Sequence, residues 1–151
     1  MEIEMEDPVS DEVPSIRAFF EQYARARSAR DVDLIASQYT DPFMFADPNG
    51  ARPVEKASLL AVFPKGLQLL KTHGHTATNL RSLDETVVDE HYRFVRAQFV
   101  WCFEKPGRPA IKVVDDATFM VYVKGLVLSI VLQQEREDFR DAARSQGIVL
   151  A

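Results

Sequence analysis

Three stretches in the second half of the chain decide the fold: HYRFVRAQFVWCF (residues 91–103), AIKVVDDATFMVYV (110–123) and LVLSIVLQQ (126–134). All three are rich in β-branched and aromatic residues, and this composition predicts three long strands. A Lys-Pro-Gly-Arg turn at 105–108 separates the first two, and Lys124-Gly125 separates the last two. We therefore predict consecutive hairpins, preceded by shorter strands at 76–82 and 86–88.

The first half of the chain has a helical period instead. From Pro14 onward, apolar residues recur at three- and four-residue spacing: Ile16, Phe19, Phe20, Tyr23, Ala24 and Ala26. Arg17, Glu21, Arg25 and Arg27 fill the other face, so this segment is predicted to be an amphipathic helix. A second, short helix is predicted from the N-cap Asp31 to Tyr39. A third is predicted from Pro53 to about Leu70, with a kink or break at Pro64.

Between the second and third helices, residues 43–46 predict a short strand, and Asp47-Pro48-Asn49-Gly50 predicts a turn. Residues 137–145 predict a short helix near the end of the chain. Helices followed by hairpins indicate an α+β domain. A long, curved antiparallel sheet wrapped around the N-terminal helices would form a cone with an apolar pocket at its open end.

Length and composition limit the classes of function. The chain has 151 residues, which predicts about one domain, taken here as 13–151, after an acidic flexible tail at 1–12. One cysteine, Cys102, excludes an internal disulfide framework. The net charge of −5 argues against nucleic-acid and anionic-membrane partners, which need a basic face. Neither a signal peptide nor a long apolar span is visible, and we expect a cytoplasmic protein.

Two short segments resemble a known family. Residues 39–53 (YTDPFMFADPNGARP) end the first predicted strand with an acid, Pro, one residue and Gly, and residues 103–108 (FEKPGR) form a hairpin turn. With the order of helices and hairpins from about Val13 to Asp138, they resemble the nuclear transport factor 2-like (NTF2-like) superfamily. That superfamily includes ketosteroid isomerases and polyketide cyclases of the SnoaL type, and the resemblance implies the cone fold.

The ketosteroid isomerase resemblance implies roles for three residues. Asp47 falls on the position of the catalytic base, and Tyr23 falls on the tyrosine that donates to the oxyanion. Counting onward from the 103–108 hairpin places Asp116 on the protonated acid that supplies the second donor. Such a site takes a proton from the carbon beside a carbonyl and stabilises the enolate that forms. It needs no cofactor and no metal.

Strand alternation leaves the choice between Asp115 and Asp116 open. Asp115 shares a face with five apolar residues: Ile111, Val113, Ala117, Phe119 and Val121. Asp116 shares the other face with Lys112, Thr118, Met120 and Tyr122. If the more apolar face lines the pocket, Asp115 is the buried acid. If that face covers a dimer interface, Asp116 points into the cone, and the resemblance favours Asp116.

The aromatic residues are candidates for the wall of the pocket. We expect seven of them to contact a small apolar ligand: Phe43, Phe45, Phe63, Phe99, Trp101, Phe103 and Tyr122. Phe99, Trp101 and Phe103 alternate along one strand and therefore share a face. The alternative is that these rings simply form the core of the sheet.

Two classes of function follow from the sequence. The first is a cofactor-free isomerase, cyclase or dehydratase that acts on an apolar carbonyl compound. The second is a non-catalytic module of the same fold that binds a ligand or a partner. In either case the Val-, Ile- and Leu-rich outer face of a single sheet predicts a homodimer through the sheet. His73-Gly74-His75 lacks a carboxylate at ligand spacing, so we predict no metal there.

Overall fold

The computed structural model describes residues 15–150. The first element in this range is helix α1 (Ile16–Ala29). The predicted acidic tail at 1–12 lies outside these residues. The other elements are α2 (Val32–Ser37), β1 (Tyr39–Asp47), β2 (Gly50–Val54), α3 (Lys56–Thr72), β3 (His75–Val87), β4 (Tyr92–Phe103), β5 (Ile111–Lys124), β6 (Val127–Glu135) and α4 (Phe139–Ser145). None of the described helices is long and apolar enough to cross a membrane.

The six strands form one curved sheet in the order β2-β1-β6-β5-β4-β3. Neighbouring strands are antiparallel except for β1 and β6, which pair in parallel. This arrangement confirms the predicted α+β class, with a curved sheet and N-terminal helices. A parallel pair is possible because β1 and β6 are joined by a long connection and not by a hairpin.

Strand β2 is the one element that the sequence analysis missed. Asp47 pairs with Gly50, so the predicted turn closes a tight hairpin rather than leading directly into a helix. Pro53 lies in β2, at the edge of the sheet, where the missing N–H removes no hydrogen bond from a neighbouring strand. The third helix therefore starts at Lys56 and not at Pro53.

Other boundaries also differ from the predictions. Helix α2 ends at Ser37 and not at Tyr39, and β1 begins at Tyr39 and not at residue 43. The predicted strands at 76–82 and 86–88 are one continuous strand, β3, with a shift in register between Leu80 and Ser82. Helix α3 runs unbroken through Pro64. Leu60, whose carbonyl loses its helical donor at Pro64, is exposed, so water can replace that hydrogen bond.

The core lies between α1 and the concave face of the sheet. Odd-numbered residues are buried from Val95 to Phe103 in β4 and from Val113 to Val123 in β5, and even-numbered residues are half-buried or exposed on the opposite face. Phe20 packs on Phe119 with ring centroids 4.7 Å apart, and Tyr23 stacks on Phe99 at 4.6 Å. Each of these rings is nearly or completely buried, which contributes about 1.5–3 kcal/mol per side chain.

Candidate functional site

A cavity of about 520 Å³ lies where α1, α3 and α4 meet the concave face of the sheet. Its walls are largely apolar: Phe43, Phe45, Leu59, Phe63, Leu67, Leu69, Leu70, Trp101, Phe139 and Leu150. The polar lining residues fall into two groups. Asp47, Asn49, Arg52, Glu137, Asp138 and Arg140 lie on less buried segments, whereas Tyr23, Arg27, Tyr39, Asp115, Gln133 and Glu135 are buried.

The buried polar groups form one connected chain centred on Gln133. Arg27 Nη2 donates to the Tyr39 hydroxyl at 2.9 Å, and that hydroxyl donates to Gln133 Oε1. Gln133 Nε2 in turn donates to the Tyr23 hydroxyl at 3.1 Å and to Glu135 Oε2 at 2.7 Å. Because both the oxygen and the nitrogen of the Gln133 amide have hydrogen-bond partners, these hydrogen bonds hold α1, β1 and β6 together in a fixed geometry.

Asp115 and Glu135 form a buried pair of carboxyl groups at the end of this chain. They lie on the adjacent strands β5 and β6 and are hydrogen-bonded to each other. Trp101 Nε1 donates to Asp115 Oδ2 at 3.3 Å. Burial raises the pKa of Glu135 well above its ordinary value, and the hydrogen bond and charge of Asp115 raise it further. Glu135 therefore retains its proton at a pH at which an exposed glutamate would lose it.

The two buried tyrosines are held in their protonated form. Burial raises the pKa of Tyr23 well above its ordinary value near 10, although the charge of Arg27 opposes the rise. Burial likewise raises the pKa of Tyr39, again against the opposing effect of Arg27. At neutral pH both hydroxyl groups are therefore neutral. Tyr39 donates its proton to Gln133 Oε1, so Tyr23 is the tyrosine that can donate to an oxygen in the cavity.

Tyr23 and Asp47, two of the residues implied by the resemblance, both line this cavity. Tyr23 is 2% exposed and lies on the face of α1 that packs on the sheet. Asp47 is half-buried at the end of β1, and its Oδ1 accepts the Asn49 amide at 2.9 Å. Asp47 therefore both opens the turn after β1 and lines the cavity.

Asp116 does not line the cavity, and its predicted placement there is wrong. It lies on the opposite face of β5, because odd-numbered residues of that strand face the core. Arg96 bonds its carboxylate at 3.1 Å, and Arg136 lies 3.6 Å away. The Arg96 hydrogen bond holds the pKa of Asp116 below its ordinary value, so this acid is ionised. Asp115, the alternative on the more apolar face, is the acid inside the cone.

Four of the seven predicted aromatic contacts line the cavity: Phe43, Phe45, Phe63 and Trp101. The prediction is wrong for the other three. Phe99 lies beneath the Tyr23 ring and Phe103 packs against His75, so both are completely buried in the core. Tyr122 lies on the outer face of β5, where it packs on Tyr92 with centroids 5.3 Å apart.

The sequence analysis missed Arg27, Tyr39, Gln133 and Glu135. Arg27 was assigned to the polar face of α1, yet it is 2% exposed. Its spacing of four residues from Tyr23 was the available signal, because residues four apart lie on the same side of a helix. Gln133 and Glu135 alternate at the end of β6, a spacing that puts both on one face.

His75 has a structural environment. Its Nε2 lies 2.8 Å from Thr78 Oγ1, and its ring packs on Trp101 and Phe103. Burial, assisted by the charge of Arg30, lowers the pKa of His75 to about 4. Within residues 15–150, no three His, Cys, Asp or Glu side chains are arranged to hold a metal ion.

The fold of this chain is similar to that of several solved structures. No protein-family model matches the chain, and no curated protein matches its sequence. An NTF2-like protein with a cystatin-like fold from Novosphingobium aromaticivorans superposes with a TM-score of 0.68 at 16% identity, covering 88% of this chain and 86% of that chain. The chain has the NTF2-like fold.

Other solved structures have the same fold. A scytalone dehydratase-like protein from Novosphingobium aromaticivorans superposes with a TM-score of 0.62 at 13% identity, covering 82% of this chain and 81% of that one. LinA also has a TM-score of 0.62, at 12% identity, with 80% and 81% covered. Proteins of unknown function share the fold equally well. At these identities the likeness concerns the fold alone.

Proposed function

We propose that the chain is a cofactor-free enzyme that moves a proton on a small apolar carbonyl compound, as an isomerase, cyclase or dehydratase. The observation that carries the proposal is the convergence of three kinds of group on one largely apolar cavity. These are a half-buried carboxylate (Asp47), a neutral tyrosine (Tyr23) and a buried glutamic acid with a raised pKa (Glu135). The cavity volume of about 520 Å³ suits a small ligand.

In the proposed reaction Asp47 is the base. Its carboxylate takes a proton from the carbon next to the substrate carbonyl, and the electron pair of that C–H bond moves onto the carbonyl oxygen to give an enolate. Returning the proton to a different carbon completes an isomerisation. Aligned hydrogen-bond donors lower the barrier by stabilising the oxygen on which charge develops.

Tyr23 supplies the first donor to that oxygen. Its hydroxyl accepts from Gln133 Nε2 at 3.1 Å. The proton of this hydroxyl is then free to be donated to a substrate oxygen. The protonated carboxyl group of Glu135 is the second donor, in the role that the resemblance implied for Asp116.

The test is an assay of β,γ-unsaturated ketone isomerisation with purified protein. Asp47→Asn should lower kcat/KM by about 10²- to 10⁴-fold because it removes the base, and Tyr23→Phe should lower it by about 10²- to 10³-fold. Asp116→Asn is the matched control, an acid on the outer face whose loss should leave the rate unchanged. Equal rates for wild type and Asp47→Asn would eliminate Asp47 as the base.

The alternative function is a non-catalytic ligand-binding module. It is favoured by the hydrogen bond from the Asn49 amide to Asp47 Oδ1, since an Asp that opens a turn already has a structural role. In that case the cavity would bind apolar carbonyl compounds at equilibrium, and wild type and Asp47→Asn would both fail to convert them.

A further inference from the structure

Arg27 carries a buried positive charge at the cavity. It lies in the last turn of α1 and is only 2% exposed. Its guanidinium carbon lies 3.4 Å from the centroid of the Tyr23 ring, against which it packs, and 5.9 Å from that of Phe63. Other groups can interact with the guanidinium through its edge, which carries the N–H donors.

That edge is only partly occupied. Nη1 donates to the Tyr23 carbonyl at 3.3 Å and Nη2 donates to the Tyr39 hydroxyl at 2.9 Å. A guanidinium has five N–H groups, so three are left without a hydrogen-bond partner among residues 15–150. Both acceptors are neutral, and burying a charge without an ionic partner is costly.

No carboxylate of the described residues forms an ion pair with Arg27, whereas four other arginines have such pairs: Arg93, Arg96, Arg136 and Arg144. Asp115 and Glu135 lie in the same cavity beyond ion-pair distance and are bound to each other, to Trp101 and to Gln133. The most buried cation of the cavity therefore has no direct counterion among residues 15–150.

We infer that the cavity takes an apolar carboxylate, and that its carboxylate group binds the Arg27 guanidinium. A planar fork of N–H donors matches a carboxylate in a bidentate pair, and such pairs strengthen where water is excluded. One guanidinium balances one negative charge, and the surrounding phenylalanines suit an apolar body. This inference deepens the proposed function, since it rests on the same cavity and names the substrate class as carbonyl compounds that also carry a carboxylate.

The test compares two probes of matched shape by isothermal titration calorimetry: naphthylacetate and its neutral analogue naphthylacetamide. Wild-type protein should bind the carboxylate about 10- to 100-fold more tightly than the amide, because a hydrogen bond to a charged group is worth more than a neutral one. Arg27→Met should remove that preference. Arg25→Met, an exposed arginine on the same helix, is the matched control and should keep it.

Three outcomes would overturn the inference. One is equal affinity of wild-type protein for the two probes, and another is no binding of naphthylacetate; both use wild type and do not depend on how a variant folds. The third is a preference that survives in Arg27→Met but disappears in Arg52→Met, which would put the carboxylate on a more exposed lining residue. Arg27→Lys, which keeps the charge but loses the fork, should retain part of the preference and serves if Arg27→Met does not fold.

Binding and turnover separate this inference from the proposed enzyme. Tight binding of naphthylacetate without any ketone isomerisation would support the carboxylate site and count against the enzyme. Ketone isomerisation without a preference for naphthylacetate would support the enzyme and count against the carboxylate site.

Discussion

Replacing Glu135 with Gln should remove a pH dependence of folding stability that the buried acid pair creates. Glu135 is 7% exposed, and burial together with Asp115 raises its pKa in the folded protein. A carboxyl group whose folded pKa is raised contributes stability that is fully present below the unfolded pKa, about 4.3 for Glu. That contribution is lost as the pH rises through the folded pKa.

The size of the effect follows from one proton. Between the unfolded and folded pKa values of Glu135, the folded protein binds one proton more than the unfolded chain. The free energy of unfolding should then fall by about 1.4 kcal/mol for each pH unit in that window. The side chain introduced by Glu135→Gln stays uncharged throughout, and its amide can accept from Gln133 and donate to Asp115 much as the protonated acid does.

The assay is urea unfolding of wild type and Glu135→Gln at several pH values from about 5 to about 8. Glu135→Gln should become progressively more stable than wild type as the pH rises. Asp116→Asn is the control, because the pKa of Asp116 is lowered and its own contribution is lost only in more acidic solution. A stability difference between Glu135→Gln and wild type that does not change with pH would show that the pair holds no extra proton.

Further predictions concern packing and assembly. Gly74→Ala should lower the melting temperature, because φ is +97° and the new Cβ would lie 2.5 Å from the Glu104 carbonyl oxygen, whereas Gly66→Ala in the open middle of α3 should raise stability by about 0.8–1.0 kcal/mol. Phe99→Ala should cost about 3–5 kcal/mol in urea unfolding, whereas Phe45→Ala at the cavity wall should cost less but weaken naphthylacetate binding; equal costs would contradict the distinction between core and wall. Sedimentation at micromolar concentration should show a dimer that Val114→Glu, on the outer face of β5, converts to monomers; a monomeric wild type would refute the predicted dimer.

Local sequence pattern predicted most of the elements but not the site. The alternation in β5 correctly divided its residues between two faces, and the more apolar face proved to be the inner one, which selects Asp115 over Asp116. Strand alternation alone could not decide this, because it does not show which face the helices cover. The resemblance favoured Asp116. Its position was counted from the hairpin at 103–108, so any difference in strand length from the family shifts the residue that the count reaches.

The hydrogen bonds among the buried polar residues depend on contacts between distant parts of the sequence, and no local pattern predicts such contacts. Tyr39 and Gln133 are 94 residues apart in sequence and meet because β1 pairs in parallel with β6. The contact between Asp115 and Glu135 requires the register in which Ala117 pairs with Glu135. The burial of Arg27 likewise depends on how α1 lies across Tyr39 and Phe63. Each of these contacts is a product of the assembled sheet.

Exchange of solvent deuterium into a ketone at the carbon next to its carbonyl tests the central claim most directly. This exchange needs only proton abstraction by a base in the cavity, whatever the complete reaction is. By mass spectrometry, wild type and Asp116→Asn should incorporate deuterium into a β,γ-unsaturated ketone well above the buffer rate, and Asp47→Asn should fall to near that rate. Incorporation at the buffer rate by wild type, or at equal rates by wild type and Asp47→Asn, would contradict the account.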